Sequence, residues 1–346
     1  MGNAVRQKVG AVVFDLPRFL WAMRPGPQNR RSAPWIFFHN RRERLTTGSS
    51  ASGASCDWQW TTDLNIAKVF PSLGSRLRDR ALRDWPINFA SEPQQQSEPT
   101  VSFIIGHRGK ARLPHLLITL ETIAAQRDTS FECVVVEQSE KPEVMKALPS
   151  WVRYVHTPLP RADMPYSRSW AFNVGARNAR SELLIMHDND MLVPESYAAE
   201  VVARFKDGNE VINLKRFIFY QNEAHTRRII SGERSLNGQP PLTVVQNLEA
   251  GGSLAISKDA HFRIGGFDES FVGWGGEDNE FWERAQTQKV WPYGYLPLVH
   301  LWHQAQPEKH DPSRFTATLL ESRSSIPPTE RIRELTGRCF GSPTVE

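Results

Sequence analysis

Apolar and polar positions divide this chain into a strongly patterned middle and two less regular ends. Residues 101–105 (VSFII) form a compact apolar run that ends in Gly106-His107-Arg108-Gly109-Lys110. Over about 113–126, Leu116, Leu117, Leu120, Ile123 and Ala124 recur at helical spacing. Residues 132–136 form a second apolar run, closed by Glu137-Gln138-Ser139. Strand, helix and strand make one βαβ unit, which predicts a parallel sheet with a right-handed crossover. The same reading gives a strand at 152–156, a helix at 166–180, a strand at 182–187, a helix at 195–206 and a strand at 210–214. The polar, turn-rich stretch 221–247 predicts a mobile loop.

The ends are different. Residues 24–56 are rich in Arg, Ser, Thr, Gly and Pro without a sustained period, so 1–56 is expected to be a disordered or poorly ordered leader. Pattern returns at 57–90, where two short helices broken at 71–74 would satisfy it, with Trp58, Trp60 and Trp85 packed against the main domain. Residues 57–99 therefore read as a helical extension ending in the linker SEPQQQSEP. An α/β domain over 100–316 follows, with halves 100–194 and 195–316, and then a helical or irregular tail at 317–346.

Composition narrows the class. In 346 residues the formal charge is only +4, and no Lys/Arg block suggests a nucleic-acid surface. Cys56, Cys133 and Cys339 are too widely spaced for a zinc or disulfide framework, and Cys133 falls within a buried strand. No apolar run reaches the ~18 residues of a membrane span. Asp15, Pro17 and Arg18 interrupt the apolar stretch at 9–23, which argues against a signal peptide. The expectation is a cytoplasmic protein, with peripheral contact at the inner membrane face left open.

The chemistry gathers where strands end. In parallel sheets ligands collect beyond the C-terminal strand ends. His107, Arg108 and Lys110 lie at the first such end, and Glu137 and Gln138 at the second. The strand at 182–187 runs into Asp188-Asn189-Asp190. If extended backbone persists, both carboxylates share a face and repel unless a cation sits between them. A hard divalent ion, Mn²⁺ or Mg²⁺, carrying a diphosphate would meet that need; a polar turn is the simpler alternative. In the preceding helix Arg168, Asn173 and Arg177 could approach a nucleotide. A second cluster reads Gly273-Trp274-Gly275-Gly276-Glu277-Asp278. Its glycines would let backbone wrap a ligand, Trp274 offers a flat face to a sugar ring, and the two acids open a helix.

These pieces, in order over roughly 100–316, resemble the β-1,4-galactosyltransferase family and its bacterial family-two relatives, glycosyltransferases of the GT-A fold. The resemblance implies a Rossmann-like, mostly parallel sheet flanked by helices, with an irregular N-terminal extension. It implies nucleotide-sugar contacts from Arg108, Glu137, Gln138, Tyr166, Arg168, Asn173 and Asp188. A metal site of Asp188, Asp190 and a later histidine is implied as well. Family spacing to Arg314-Phe315 favours His303 as that ligand and leaves His300 in a supporting position. Acceptor contacts fall on Trp274, Gly275 and Gly276, with Asp278 as catalytic base and Glu277 orienting the acceptor. Gly106 stands where such enzymes usually carry proline.

The expected activity is metal-dependent, inverting transfer of a hexose or N-acetylhexosamine. The donor would be a nucleotide sugar, UDP-linked, and the acceptor a hydroxyl of a glycan, lipid-linked or other molecule, as in polysaccharide biosynthesis. Two alternatives are a sugar nucleotidyltransferase, for which GHRGKAR is a poor phosphate loop, and a non-catalytic sugar-binding module.

Overall fold

The computed structural model describes residues 8–343, apart from 27–28, 42, 44, 46–51, 56–60, 95–97, 162, 249 and 306–312. Cys56, Trp58 and Trp60 lie outside the described residues, and so do the expectations attached to them.

Period-two burial builds the central sheet. In Val101–His107, Phe103 and Ile105 join the apolar cluster on one face, while Ile104 joins the cluster on the other. Leu183–His187 divides the same way, Leu183 and Ile185 against Leu184 and Met186. So does Phe131–Ser139, where Cys133 and Val135 oppose Val134 and Val136. Helices Leu113–Ala124 and Tyr197–Lys206 cover the first face; Arg168–Asn178 and Glu277–Ala285 cover the second. Burial on both sides explains why these strands read as continuous apolar runs.

Seven strands lie in the order Val290–Trp291, Val211–Ile212, Ser253–Ser257, Leu183–His187, Val101–His107, Phe131–Ser139, Arg153–Pro158. The last four are mutually parallel, and Ser253–Ser257 runs antiparallel to Leu183–His187. After Val101–His107 the chain adds two strands on one side and then crosses to the other. That reversal opens a crevice beyond the C-terminal ends of Val101–His107 and Leu183–His187, where an α/β sheet takes its ligands.

A second sheet of five strands contains Lys215–Tyr220, Leu296–His300 and Met191–Leu192 side by side. In its register His300 pairs with Met191, and Leu301 N donates to Asp190 O at 2.9 Å. This pairing carries the downstream histidines to the acidic turn.

Several expectations change. Part of the expected leader is core: Trp35, Ile36 and Phe38 are buried in the same cluster as the central sheet. Buried Arg216 donates to Ile36 O (2.5 Å) and Phe38 O (2.6 Å), and Trp35 Nε1 donates to Asp84 Oδ2 at 2.8 Å. The apolar tetrad WIFF outweighs the arginines around it. Trp35→Ala should therefore cost about 3–5 kcal/mol. Chemical denaturation would test this, and a variant as stable as the parent would show that Trp35 is not packed as described.

The stretch 221–247 is not an open loop. It holds helix Glu223–Ile230, capped by Asn222 Oδ1 on His225 N (2.8 Å), and strand Thr243–Gln246. Further upstream, Pro71 opens helix Pro71–Asp84 as its first residue, so the break falls at Phe70 rather than across 71–74. Trp85 is buried against Tyr295, ring centres 5.6 Å apart. The tail forms Phe315–Ser324 and Pro328–Thr336, and buried Arg331 joins it to Glu280 (3.0 Å) and Glu283 (2.5 Å) on Glu277–Ala285. Among the described residues, no helix is long and apolar enough to cross a membrane.

Candidate active site

Strand Leu183–His187 stops at His187, and 189–190 form a turn. Alternation therefore ends before the acids and does not put them on one face. Two buried histidines brace the turn. His107 Nδ1 meets Asn189 Nδ2 at 3.0 Å, and its Nε2 meets Gly109 O at 2.9 Å. His187 Nδ1 meets Ser253 Oγ at 2.8 Å, with Nε2 on Met191 O at 2.9 Å. Burial lowers both to a pKa of about 4, so each is neutral, donating from Nε2 and accepting at Nδ1. With Asn189 held this way, its neighbours part. Asp188 meets Arg168 (2.5 Å) and accepts from Gly252 N (3.0 Å). Asp190 turns to Arg112, His300 and His303.

Asp190, His300 and His303 offer ligand atoms that all lie within 4.8 Å of one another. His300 Nε2 is 3.6 Å from Asp190 Oδ1, and His303 Nε2 is 3.4 Å from Asp190 Oδ2. Asp190 Oδ1 is buried and accepts no hydrogen bond among the described residues. Burial opposes the charge on Asp190, but His300, Arg112 and His303 together hold its pKa below the usual carboxylate value. Burial lowers His303, favouring its neutral form. Its Nδ1 faces Gln304 O at 2.7 Å, which makes Nδ1 the donor and leaves the Nε2 lone pair facing the carboxylate. A bound cation would satisfy both lone pairs, and Arg112 already brings one positive charge to the same Oδ2. One carboxylate and two imidazoles suit Mn²⁺ better than Mg²⁺. His300 thus comes nearly as close as His303: the strand ends at His300, and the irregular residues after it leave both rings beside one carboxylate. Asp188 is not in this group.

The second cluster meets the first through Arg168. Gly276, at φ 94°, turns the chain into helix Glu277–Ala285. A Cβ there would come within 2.9 Å of Phe271 and 3.1 Å of Thr316 O, so only glycine fits. The guanidinium of Arg168 contacts Asp188, Glu277 (3.3 Å) and Asp278, joining carboxylates from two distant segments. Burial raises Glu277 to about 7, and adjacent Asp278 adds to the shift. Burial raises Asp278 as well, against the pull of Arg168.

A carboxyl that binds its proton more tightly when folded loses stability as pH rises from its unfolded value to its folded one. Wild-type stability should therefore decline from about pH 4.5 to about 7 through Glu277. Glu277→Gln should flatten that decline. Denaturation at pH 5 and pH 8 checks it, and parallel pH dependences would count against the shift.

The remaining expected residues divide. Tyr166 lies over the first strand end, its hydroxyl where a Cβ of Gly106 would stand, which accounts for glycine at that position. Tyr166 O also accepts from Gly273 N at 2.9 Å. Trp274 is 37% exposed with Arg314 over its ring at 5.0 Å, and Gly275 lies beside that same guanidinium. Arg108 donates to Met164 O at 2.6 Å.

Three others are spent on structure. Glu137 accepts from Tyr154 Oη (2.5 Å), Glu143 N (3.0 Å) and Val144 N (3.3 Å). Gln138 Oε1 accepts from Ser167 N at 2.8 Å, anchoring the start of helix Arg168–Asn178. Asn173 exchanges two 2.8 Å bonds with the backbone of Phe267, so its amide holds a loop instead of reaching the crevice. Missing from the expectations were Arg112, at the start of helix Leu113–Ala124, and Tyr220, stacked on His300 at 4.4 Å. Arg112 belongs to the basic loop already noted; Tyr220 carries no signal in the sequence.

Known proteins fit this arrangement. Residues 102–261 match the glycosyl transferase family 2 profile, and residues 246–294 match one described as the N-terminal domain of galactosyltransferase. Together with the sheet topology, these matches give residues 102–294 a glycosyltransferase domain of the GT-A fold. Within that class it resembles family 2 enzymes bearing a galactosyltransferase-like segment that includes Gly273 to Asp278. It is 24% identical over 298 residues to chondroitin synthase of Escherichia coli, covering 73% of this chain and 41% of that protein. To human β-1,4-galactosyltransferase 4 it is 24% identical over 204 residues, covering 58% and 46%. The chain thus spans less than half the length of these relatives. A solved catalytic domain of Drosophila β1,4-galactosyltransferase 7, in complex with xylobiose, aligns with TM-score 0.38 and 14% identity over 69% of this chain and 82% of that one.

Proposed function

We propose that this glycosyltransferase moves a hexose or N-acetylhexosamine from a UDP-linked sugar to a hydroxyl of a glycan, with inversion. The observation that carries the reading is the meeting of Asp190, His300 and His303 at the switch-point crevice, with Arg168 tying Asp188 to Glu277 and Asp278. Asp190, His300 and His303 would hold Mn²⁺, which when bound supplies Lewis-acid neutralisation of a diphosphate. Asp188 lies beside that set and would meet the donor's ribose or sugar. Asp278 accepts the acceptor's proton as its oxygen bonds to the anomeric carbon. The bond from that carbon to the diphosphate breaks in the same displacement, and the nucleotide leaves. Glu277, protonated near neutral pH, donates a hydrogen bond that orients the acceptor. Trp274 stacks on a sugar ring, and Arg168 holds the acids of both clusters in register. Galactose, glucose and their N-acetyl forms are the donors to test first, since both curated relatives are named for glycan synthesis or galactosyl transfer. Incubation with a panel of nucleotide sugars and Mn²⁺, scored by nucleotide release, is the test. Release from one UDP-sugar, stimulated by a glycan acceptor, is expected; no release from any donor would remove the proposal.

A further inference from the structure

The N-terminal segment holds an apolar face that the catalytic reading does not use. Residues 8–22 are helical, a wide turn at Ala11–Asp15 continuing into Leu16–Ala22. One stripe, Ala11, Asp15, Phe19 and Ala22, is buried against the domain. Away from it stand Val9, Val12, Val13, Phe14, Leu20 and Trp21, each between 46% and 59% exposed. These are six of the ten exposed large hydrophobic side chains among the described residues, gathered on one short segment. A polar solvent-facing side is the rule for a surface helix, and here that side is apolar.

Charge says what covers it. Residues 1–45 carry nine Lys and Arg against two acids, Asp15 and Glu43, a surplus of seven. The whole chain has a surplus of four, so residues 46–346 are net negative by three. The chain's positive excess therefore lies within residues 1–45. Lys8, Arg18, Arg24 and Arg30 are exposed, and Arg41 sits over the Phe14 ring at 5.3 Å. The one acid on the helix, Asp15, is buried.

We infer that this face seats the protein on an anionic lipid surface, with the apolar side chains in the headgroup boundary and the cations on lipid phosphates. Apolar residues flanked by Lys and Arg on a short helix suit that interface. The seat is not a loose tether. Phe19 packs on Phe38 with ring centres 5.7 Å apart, and Arg216 fixes Phe38 to the second sheet. A bilayer that holds the helix thereby orients the crevice.

Vesicle co-sedimentation of the full chain tests this independently of any turnover. With phosphatidylcholine vesicles containing phosphatidylglycerol, the wild type should partition more strongly than with pure phosphatidylcholine, by about tenfold or more. The triple variant Val13→Glu, Leu20→Glu, Trp21→Glu should lose that partitioning while keeping its thermal melt. A second variant, Lys8→Ser with Arg24→Ser, should retain the fold and lose much of the preference for anionic vesicles. Absence of wild-type binding, or unchanged binding by the triple variant, would overturn the proposal. So would a wild-type dimer in light scattering that the triple variant dissolves without any vesicle binding, since the face would then belong to a second copy.

Discussion

Asp190→Ala should abolish Mn²⁺ binding and, with it, metal-dependent binding of the nucleotide sugar. Asp190 is the only anionic member of the Asp190, His300, His303 group, and it is buried. With that charge gone, the cation of Arg112 beside the two imidazoles would repel a divalent ion. The loss should exceed the ~10–100-fold typical of changes to residues that merely support ligands. Asp188→Ala is the informative control. Its carboxylate is committed to Arg168 and Gly252, so affinity for the metal alone should change little while donor binding falls. Calorimetric titration with Mn²⁺, first alone and then with UDP, separates the two. Equal loss in both variants would return Asp188 to the metal; no loss in Asp190→Ala would dissolve the site.

That contrast also shows where the sequence stopped being readable. Apolar runs located the strands because both faces of the sheet are buried, and the order of runs gave the βαβ crossovers. Period-two logic failed at Asp188 and Asp190 because a turn begins one residue after the strand. The bonds that set this turn, from Asn189 to His107 and from His187 to Ser253, join positions far apart in the chain. No local pattern contains them. His300 was undervalued for the same reason: alternation holds only to the end of Leu296–His300, and the irregular residues beyond it bring both rings to one carboxylate. Asn173 shows the opposite effect. A polar residue near the crevice looked available for ligand, but both ends of its amide are used by Phe267. In the N-terminal segment arginine-rich composition hid a short apolar tetrad, and burial of Trp35, Ile36 and Phe38 docks a segment that averages as disordered. The Gly273–Asp278 hexapeptide was legible because each feature is local: glycine for positive φ, then acids at a helix start.

Legibility of those acids does not settle their roles, and the second large expected effect tests them. Asp278→Asn preserves size and can still meet Arg168, but it cannot accept a proton. Turnover should fall by ~10²-fold or more, the scale of general-base assistance. Donor affinity should persist, because Asp190, His300 and His303 are untouched. Glu277→Gln should behave differently. Glu277 is the less exposed of the two acids and burial raises it to about 7, so an amide that donates a hydrogen bond partly replaces the protonated carboxyl. Its defect should lie in acceptor KM and shrink as acceptor rises. If the acids only capped the helix, each substitution would cost ~0.5–2 kcal/mol of stability and leave the chemical step alone. Single-turnover rates with thermal melts on both variants distinguish the cases. A well-folded Asp278→Asn enzyme with near-normal single-turnover rate would transfer the role of base elsewhere, and Glu277, with a pKa near neutrality and a buried Oε2 that accepts no hydrogen bond among the described residues, would be the next residue to test.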